Sequence, residues 1–94
     1  MTDAQLLLAV KTDKGISVSA YDTRLQELIA SAKEAITAEG AATLDPSASA
    51  EDAQLVIMYA GWLWSSRNDP AAAMPRSLRW KLNNRVLGEK ARTT

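Results

Sequence analysis

Apolar residues recur at spacings of three and four over several stretches of this chain, which is the period of an amphipathic α-helix. The clearest stretch runs from about Ala20 to Glu39. Its apolar positions are Leu25, Leu28, Ile29, Ala32, Ala35 and Ile36. Gly40 follows directly, and glycine commonly ends a helix because it adopts the left-handed conformation without strain. This stretch is the predicted second helix.

A shorter helix is predicted before it, from about Asp3 to Lys11. Thr2 or Asp3 can cap its first turn, and the segment Thr12–Gly15 is typical of a turn. The apolar face of this first helix is expected to comprise Leu6, Leu7, Leu8 and Val10.

The third predicted helix is almost wholly apolar. Ser49 can accept a hydrogen bond from its first turn, and eleven of the twelve residues from Ala53 to Trp64 are apolar. A helix that is apolar on all sides must be covered on all sides. In a chain of 94 residues the other helices are not expected to cover it fully. An external partner is therefore predicted to contact Trp62, Trp64 or Tyr59.

A fourth helix is predicted to begin at Pro75, since proline suits the first helical position. It is expected to end at Gly88, with a frayed tail beyond it. One apolar stripe of this helix comprises Leu78, Leu82 and Val86, and a second comprises Trp80 and Leu87.

Two loops separate the later helices. Segment 41–49 contains Asp45–Pro46, and segment 65–74 contains Asn68–Asp69–Pro70, both of which are turn signals. The predicted fold class is all-α, a small bundle of about four helices with two long loops. Residues 1–94 are expected to form one domain, because a chain of this length buries only about 60–70% of its unfolded surface in a modest core.

The charges are unevenly distributed, although the formal net charge is zero. Residues 1–66 carry four basic and nine acidic residues, a net of −5, whereas residues 67–94 carry seven basic and two acidic residues, a net of +5. Such a bipolar chain can bind an acidic partner through one end, or associate with copies of itself through opposite surfaces.

The basic strip of the fourth helix comprises Arg76, Arg79, Lys81 and Arg85. Three interpretations remain open: a solvated helix face, a contact with an acidic protein surface, and a contact with nucleic-acid phosphate. The pI near 6.2 argues against strong non-specific DNA binding. The loop before this helix is also too long for a helix-turn-helix motif.

The tryptophans divide between core and surface in this interpretation. Trp62 and Trp64 lie two residues apart, so in a helix they point about 200° apart and cannot share a face. Trp62 is assigned to the core. Trp64 is assigned to an interface, because tryptophan is enriched at binding hot spots.

The composition excludes several kinds of chemistry. The chain has neither cysteine nor histidine, which removes disulfides, zinc sites built from these residues, and Ser-His-Asp or Cys-His nucleophiles. Asp22 with Glu27, or Glu34 with Glu39, lack a companion nucleophile or metal ligand and are interpreted as a solvated face. The four glycines are isolated, so no phosphate-binding loop is predicted. No enzymatic activity, cofactor or metal is expected.

No contact with a membrane is expected either. The apolar run Ala53–Trp64 is well short of the roughly 20 residues that span a bilayer. The first residues lack the basic region and cleavage site of a signal peptide, so the sequence predicts a soluble protein.

Three segments together resemble the small head–tail connector (adaptor) proteins of long-tailed bacteriophages. They are Tyr21–Ile36, Ala50–Asp69 and Met74–Lys90. The family pattern D-x-x-L-x-x-L-I-x-A-A-x-x-x-I is matched by Asp22, Leu25, Leu28, Ile29, Ala32 and Ile36, and Trp64 and Arg67 lie near the end of the apolar helix. The resemblance covers roughly residues 6–90 and consists of helix-face patterns rather than chemical motifs.

This resemblance implies a structural virion protein at the head–tail interface, present in the host cytoplasm during assembly. Its expected partners are copies of itself in a ring of about 12 subunits, the portal protein and a tail completion or terminator protein. Genomic DNA would pass through the channel without sequence-specific binding. The subunit or portal interface is assigned to Trp64, Arg67, Arg76, Arg79, Trp80, Lys81 and Arg85. The alternative hypothesis is a small helical nucleic-acid-binding module that uses the basic C-terminal helix.

Overall fold

A computed structural model describes residues 1–93, with the backbone alone at 92 and 93. The chain forms four helices, α1 (Asp3–Asp13), α2 (Asp22–Ala38), α3 (Ala50–Ser65) and α4 (Arg76–Thr93). No strand occurs among these residues. The predicted all-α fold of about four helices is confirmed.

Helix α1 is closed at both ends by local hydrogen bonds. Thr2 and Gln5 form a reciprocal capping box, in which each side chain accepts a hydrogen bond from the other's backbone N–H. At the far end Gly15 has φ +67°, and the N–H of Ile16 donates to the carbonyl oxygen of Lys11 over 2.8 Å. The helix therefore continues two residues beyond its predicted end and turns at Gly15.

Helix α2 ends as its sequence predicts. Gly40 has φ +131°, and the N–H of Ala41 donates to the carbonyl oxygen of Ile36 over 3.3 Å. Ala41 and Ile36 are both fully buried, so an apolar contact accompanies this Schellman-type closure.

Helix α3 is the centre of the bundle. Ser49 caps it by accepting a hydrogen bond from the N–H of Asp52 over 3.2 Å. Helices α1, α2 and α4 all pack against it. Its buried apolar residues are Ala53, Leu55, Val56, Ile57, Tyr59, Ala60 and Trp64. The expectation that the other helices do not cover α3 fully holds at Met58, Trp62 and Leu63, which are only partly buried. It fails at Tyr59 and Trp64, which the fold buries.

Helix α4 begins at Arg76, directly after Pro75, and does not end at Gly88. It continues to Thr93, so the prediction of a frayed tail from residue 89 is wrong for 89–93, and Thr94 lies outside the described residues. Glu89 is buried in this extra turn. Its contacts, described below, offset the low helix propensity of the preceding glycine, a cost of about 1 kcal/mol.

One hydrophobic cluster joins all four helices. On α4 the predicted inner stripe is confirmed, since Leu78 and Leu82 are buried and Val86 is partly buried. Helix α4 packs mainly on α3. The side of α4 that faces away from α3 is exposed.

Candidate functional site

The outer side of α4 carries a row of exposed residues that the fold does not use. We call this row the outer stripe: it comprises Arg76, Trp80, Asn83 and Leu87, spaced four, three and four residues apart. Trp80 is 69% exposed and Leu87 is 61% exposed. Large apolar side chains that remain in water on one helix face are typical of a protein–protein contact.

Arg85 lies on the inner side of α4 and is not part of this surface. Its Nε donates to Asp52 Oδ1 over 2.7 Å, its Nη1 to Glu89 Oε1 over 3.3 Å, and its Nη2 to Thr43 Oγ1 over 3.1 Å. The side chain is only 14% exposed. The assignment of Arg85 to an exposed basic strip is therefore wrong, since the guanidinium is enclosed by its own partners.

The carboxylates around Arg85 also bind the preceding loop. Glu89 Oε1 accepts hydrogen bonds from the N–H and the hydroxyl of Thr43, over 2.7 and 2.6 Å. Asp52 Oδ2 accepts from the N–H of Asp45 over 3.0 Å. The Asp52–Arg85–Glu89 cluster thus joins α3, α4 and the loop between α2 and α3.

These contacts shift the ionisation of two members of the cluster. The hydrogen bonds from Thr43 lower the pKa of Glu89 below its ordinary value, because they stabilise the charged carboxylate. The hydrogen bond to Asp52 raises the pKa of Arg85 above its ordinary value. Both shifts favour the charged forms of Glu89 and Arg85, and the ion pairs of Arg85 with Asp52 and Glu89 make the cluster a structural network.

A second cation of the predicted strip is also engaged within the chain. Arg79 Nη1 lies 2.9 Å from Glu39 Oε2, in a half-exposed ion pair between α4 and the end of α2. Among the side chains that the structure describes, Arg76 and Lys81 alone of the four strip residues form no ion pair. The cationic surface is therefore smaller than the sequence predicts, which weakens the nucleic-acid interpretation.

Trp64 lies inside the fold and not at an exposed surface. Its side chain is 9% exposed. Tyr21 packs on it edge-to-face with ring centroids 5.2 Å apart, and the Arg67 guanidinium lies 3.8 Å from the centroid of its ring. The assignment of Trp64 to an interface is therefore wrong, whereas Trp62, assigned to the core, packs against it but is only partly buried.

Arg67 and Trp64 were both assigned to an interface. In the structure they contact each other through a cation–π interaction. The Arg67 guanidinium also donates to the carbonyl oxygen of Trp64 at the end of α3. Arg67 itself remains exposed. Neither residue lies on α4, so the outer stripe and the Trp64–Arg67 pair are separate features.

Three clefts border the tryptophans that remain accessible, and one of them lies along the outer stripe at Arg76, Trp80 and Asn83. Trp80 borders a cleft of about 370 Å³ between the start of α3 and α4, whose other walls include Glu51, Lys81 and Asn84. Trp62 borders a smaller cleft, and its buried indole N–H has no hydrogen-bond partner. The first cleft places an anionic and a cationic side chain beside the exposed indole of Trp80.

Asp22 and Glu27, considered above as a pair of carboxylates, bind two different cations. Asp22 lies 2.8 Å from Lys11 and Glu27 lies 3.0 Å from Arg24, so each pairs with a cation. Among the residues that the structure describes, no group of three or more carboxylates could hold a metal ion. Within the same part of the chain, no helix combines the length and the apolar character required to cross a membrane.

Sequence reasoning missed the Asp52–Arg85–Glu89 cluster. A carboxylate such as Asp52 is favourable in the first turn of a helix without any ion pair, and Glu89 fell in the predicted frayed tail. The available signal was the i, i+4 spacing of Arg85 and Glu89, which joins opposite charges on one helix face. That spacing predicts helix beyond Gly88.

Comparison with known proteins adds no relative to this description: no family model, no curated protein and no solved structure matches the chain.

Proposed function

We propose that this protein is a structural subunit without enzymatic activity, a head–tail connector that forms a ring between a bacteriophage portal and tail. The observation that carries the proposal is the exposed outer stripe on a helix whose opposite side is fastened by buried residues and ions. A surface presented in this way is pre-organised for docking. The resemblance of the helix patterns to phage connector proteins supplies the class of assembly.

In this proposal α1, α2 and α3 form the body of the subunit, and α4 supplies a docking surface. Arg76, Trp80 and Lys81 remain the interface residues, joined by the half-exposed Arg79. Arg85, Trp64 and Arg67 act indirectly, since they hold the shape of the subunit. Copies of the chain, a portal protein and a tail completion or terminator protein are the proposed partners, and DNA passes through the ring.

The first test is the solution mass of the purified chain, measured by light scattering over a range of concentrations and followed by negative-stain electron microscopy. The expected result is a closed ring of about a dozen subunits at high concentration. A mass equal to the monomer at every concentration, with no rings on the grid, would contradict a self-assembling connector.

A variant separates assembly from folding in the same measurement. Trp80→Ala removes the most exposed tryptophan without touching the core, so helicity by circular dichroism should stay unchanged while rings are lost. Leu8→Ala is the matched control, because Leu8 is 65% exposed on α1, far from the outer stripe in sequence. Equal loss of rings in both variants would argue against a docking role for α4.

A further inference from the structure

We propose that the partner of the outer stripe is a second copy of this chain, and that the stripe docks into a groove between α1 and α2 of that copy. The inference rests on the proposed self-assembly and names the surface that receives α4. The inference follows from the shape and charge of the outer stripe on α4 and of the groove at α2, which lie on different helices of one molecule.

The receiving groove has a volume of about 360 Å³ and lies along the outer side of α2. Its residues are Asp3, Gln26, Ile29, Ala30, Lys33 and Glu34. Ile29 and Ala30 give it an apolar floor, while Asp3 and Lys33 close one wall through a 2.7 Å ion pair. Glu34 is exposed, and among the described side chains it forms no ion pair.

The outer stripe has the matching features. The Trp80 indole is apolar and needs a concave apolar surface, which the floor of the groove offers. Arg76 lies one turn before Trp80 and is without an ion pair among the described side chains, as is Glu34 at the groove. The docking therefore brings together an unpaired cation and an unpaired anion beside a buried ring, which sets the register of the contact.

The two surfaces share no residue, so one subunit can use both at once. Such a contact is heterologous: the stripe of each copy meets the groove of the next. A heterologous contact extends into a chain of subunits and closes into a ring when the rotation between neighbours permits. A symmetric dimer through two parallel stripes would instead oppose Arg76 to Arg76, which like charges disfavour.

The pairwise contact is expected to be weak. A buried tryptophan contributes about 150–250 Å², and a stable interface needs about 1,000 Å² or more. The exposed Arg76–Glu34 pair adds specificity more than affinity. Assembly should therefore depend steeply on concentration, because a closed ring engages two contacts for every copy.

Cross-linking between copies tests the docking directly, since the chain has no cysteine of its own. Asn83→Cys marks the outer stripe and Gln26→Cys marks the groove, and both positions are exposed. The two single variants are mixed and treated with a short bis-maleimide. The expected product is a mixed dimer joined through positions 83 and 26, identified by mass spectrometry of the cross-linked peptides.

The control replaces the groove variant by Ser17→Cys, an exposed position in the segment between α1 and α2 that does not line the groove. A yield of 83–26 product no greater than that of the 83–17 product would overturn the proposal. So would a predominant 83–83 product from the Asn83→Cys variant alone, since that result indicates a symmetric contact between two stripes.

Charge exchange supplies a second measurement. Arg76→Glu or Glu34→Arg alone should weaken association, and a mixture of the two should regain cross-linking between complementary surfaces. Trp80→Ala should raise the dissociation constant of the contact at least about tenfold. Failure of the mixture to recover association would contradict the pairing of Arg76 with Glu34.

The two proposals fail in different ways. Rings that assemble without an 83–26 cross-link would remove the groove as the docking site and leave the connector function standing. An 83–26 cross-link in species that form only open filaments would confirm the docking surface and remove the ring.

Discussion

Arg85 satisfies three acceptors with one guanidinium, and each acceptor belongs to a different part of the fold. Asp52 comes from α3, Glu89 from the last turns of α4 and Thr43 from the loop before α3. Taking two carboxylates and a guanidinium out of water is costly unless every hydrogen bond is made. In this cluster the hydrogen bonds are made. Removing one partner is therefore expected to lower the free energy of unfolding by more than the intact cluster contributes to it.

Replacement of Arg85 should therefore destabilise the protein far more than replacement of an exposed arginine on the same helix. We expect Arg85→Met to lower the free energy of unfolding by about 3 kcal/mol, because Asp52 and Glu89 are left buried without a cation. Arg76→Met, the matched control, should change it by less than about 0.5 kcal/mol. Urea denaturation followed by circular dichroism measures both, and equal effects would contradict a structural role for Arg85.

The lowered pKa of Glu89 makes the stability depend on pH in a defined direction. A carboxylate whose pKa is lower in the folded state stabilises the protein above its ordinary pKa, which is 4.5 for this group. That contribution is lost as the pH falls through the lowered value. The free energy of unfolding of the native protein should therefore fall on acidification, as charge at Glu89 is removed.

Glu89→Gln tests this assignment, because the amide cannot titrate. The variant should be less stable than the native protein at about pH 7 and approach it at about pH 3. Asp45→Asn is the comparison, since hydrogen bonds from Ser47 lower the pKa of that exposed carboxyl as well. A constant difference between native protein and Glu89→Gln across the series would show that the charge of Glu89 is not the stabilising feature.

The tryptophans show where sequence reasoning stops at this scale. Helical periodicity correctly places Trp62 and Trp64 on different sides of α3, but it contains no information about which side is covered. Trp64 is covered by Tyr21 and Arg67, which lie just outside the ends of α2 and α3. Contacts from connecting segments have no periodic signal, so the assignment could not be derived from the pattern.

Among the elements, α2 and the start of α3 follow from local sequence, while the end of α4 has only one local signal, the i, i+4 spacing of Arg85 and Glu89. The Gly40 closure of α2 and the Ser49 cap of α3 depend on residues within one turn of the helix end. The end of α4 depends on Glu89, whose partner Thr43 is 46 residues away in the chain. A distant contact overrides the tendency of Gly88 to terminate the helix.

Two glycines give opposite predictions for substitution by alanine. A side chain at Gly88 would meet no atom within 4 Å, so Gly88→Ala should stabilise α4 by about 0.5–1 kcal/mol. At Gly40 the backbone has φ +131°, and a Cβ atom would lie 2.9 Å from Val86 Cγ1. Gly40→Ala should therefore destabilise by about 1–2 kcal/mol. Thermal denaturation of the two variants checks the signs, and a shift of the same sign in both would refute this account.

For the whole molecule, the charges available to a partner depend on which residues pair in the fold more than on the net charge. The sequence divides into an acidic and a basic part, but folding joins them through Asp52–Arg85 and Glu39–Arg79. These two ion pairs neutralise part of the charge difference between the two parts of the chain within one subunit. Counting charges along the chain could not reveal this, because the pairs are distant in sequence.

Weak affinity for duplex DNA follows from this neutralisation. Phosphate binding requires several free cations on one face, and affinity falls steeply with salt. Such binding is strongest at low salt, so about 50 mM is a stringent condition for the test. At this salt concentration we expect the protein not to retard a DNA duplex in a gel-shift assay. Binding that is strong there and decreases with added salt would support the nucleic-acid hypothesis against the connector.

Helix α4 is fastened asymmetrically, and this has a mechanical consequence. Peeling the helix away from its C-terminal end must first break the hydrogen bonds of Glu89 and Arg85, before the fully buried Leu82 is reached. Peeling from Arg76 breaks the apolar contact of Leu78 and the half-exposed Arg79–Glu39 pair first, and it reaches the buried Arg85 only after Leu82. The subunit should therefore resist tension differently along the two directions of α4, yielding more easily when force is applied at the end that carries Trp80.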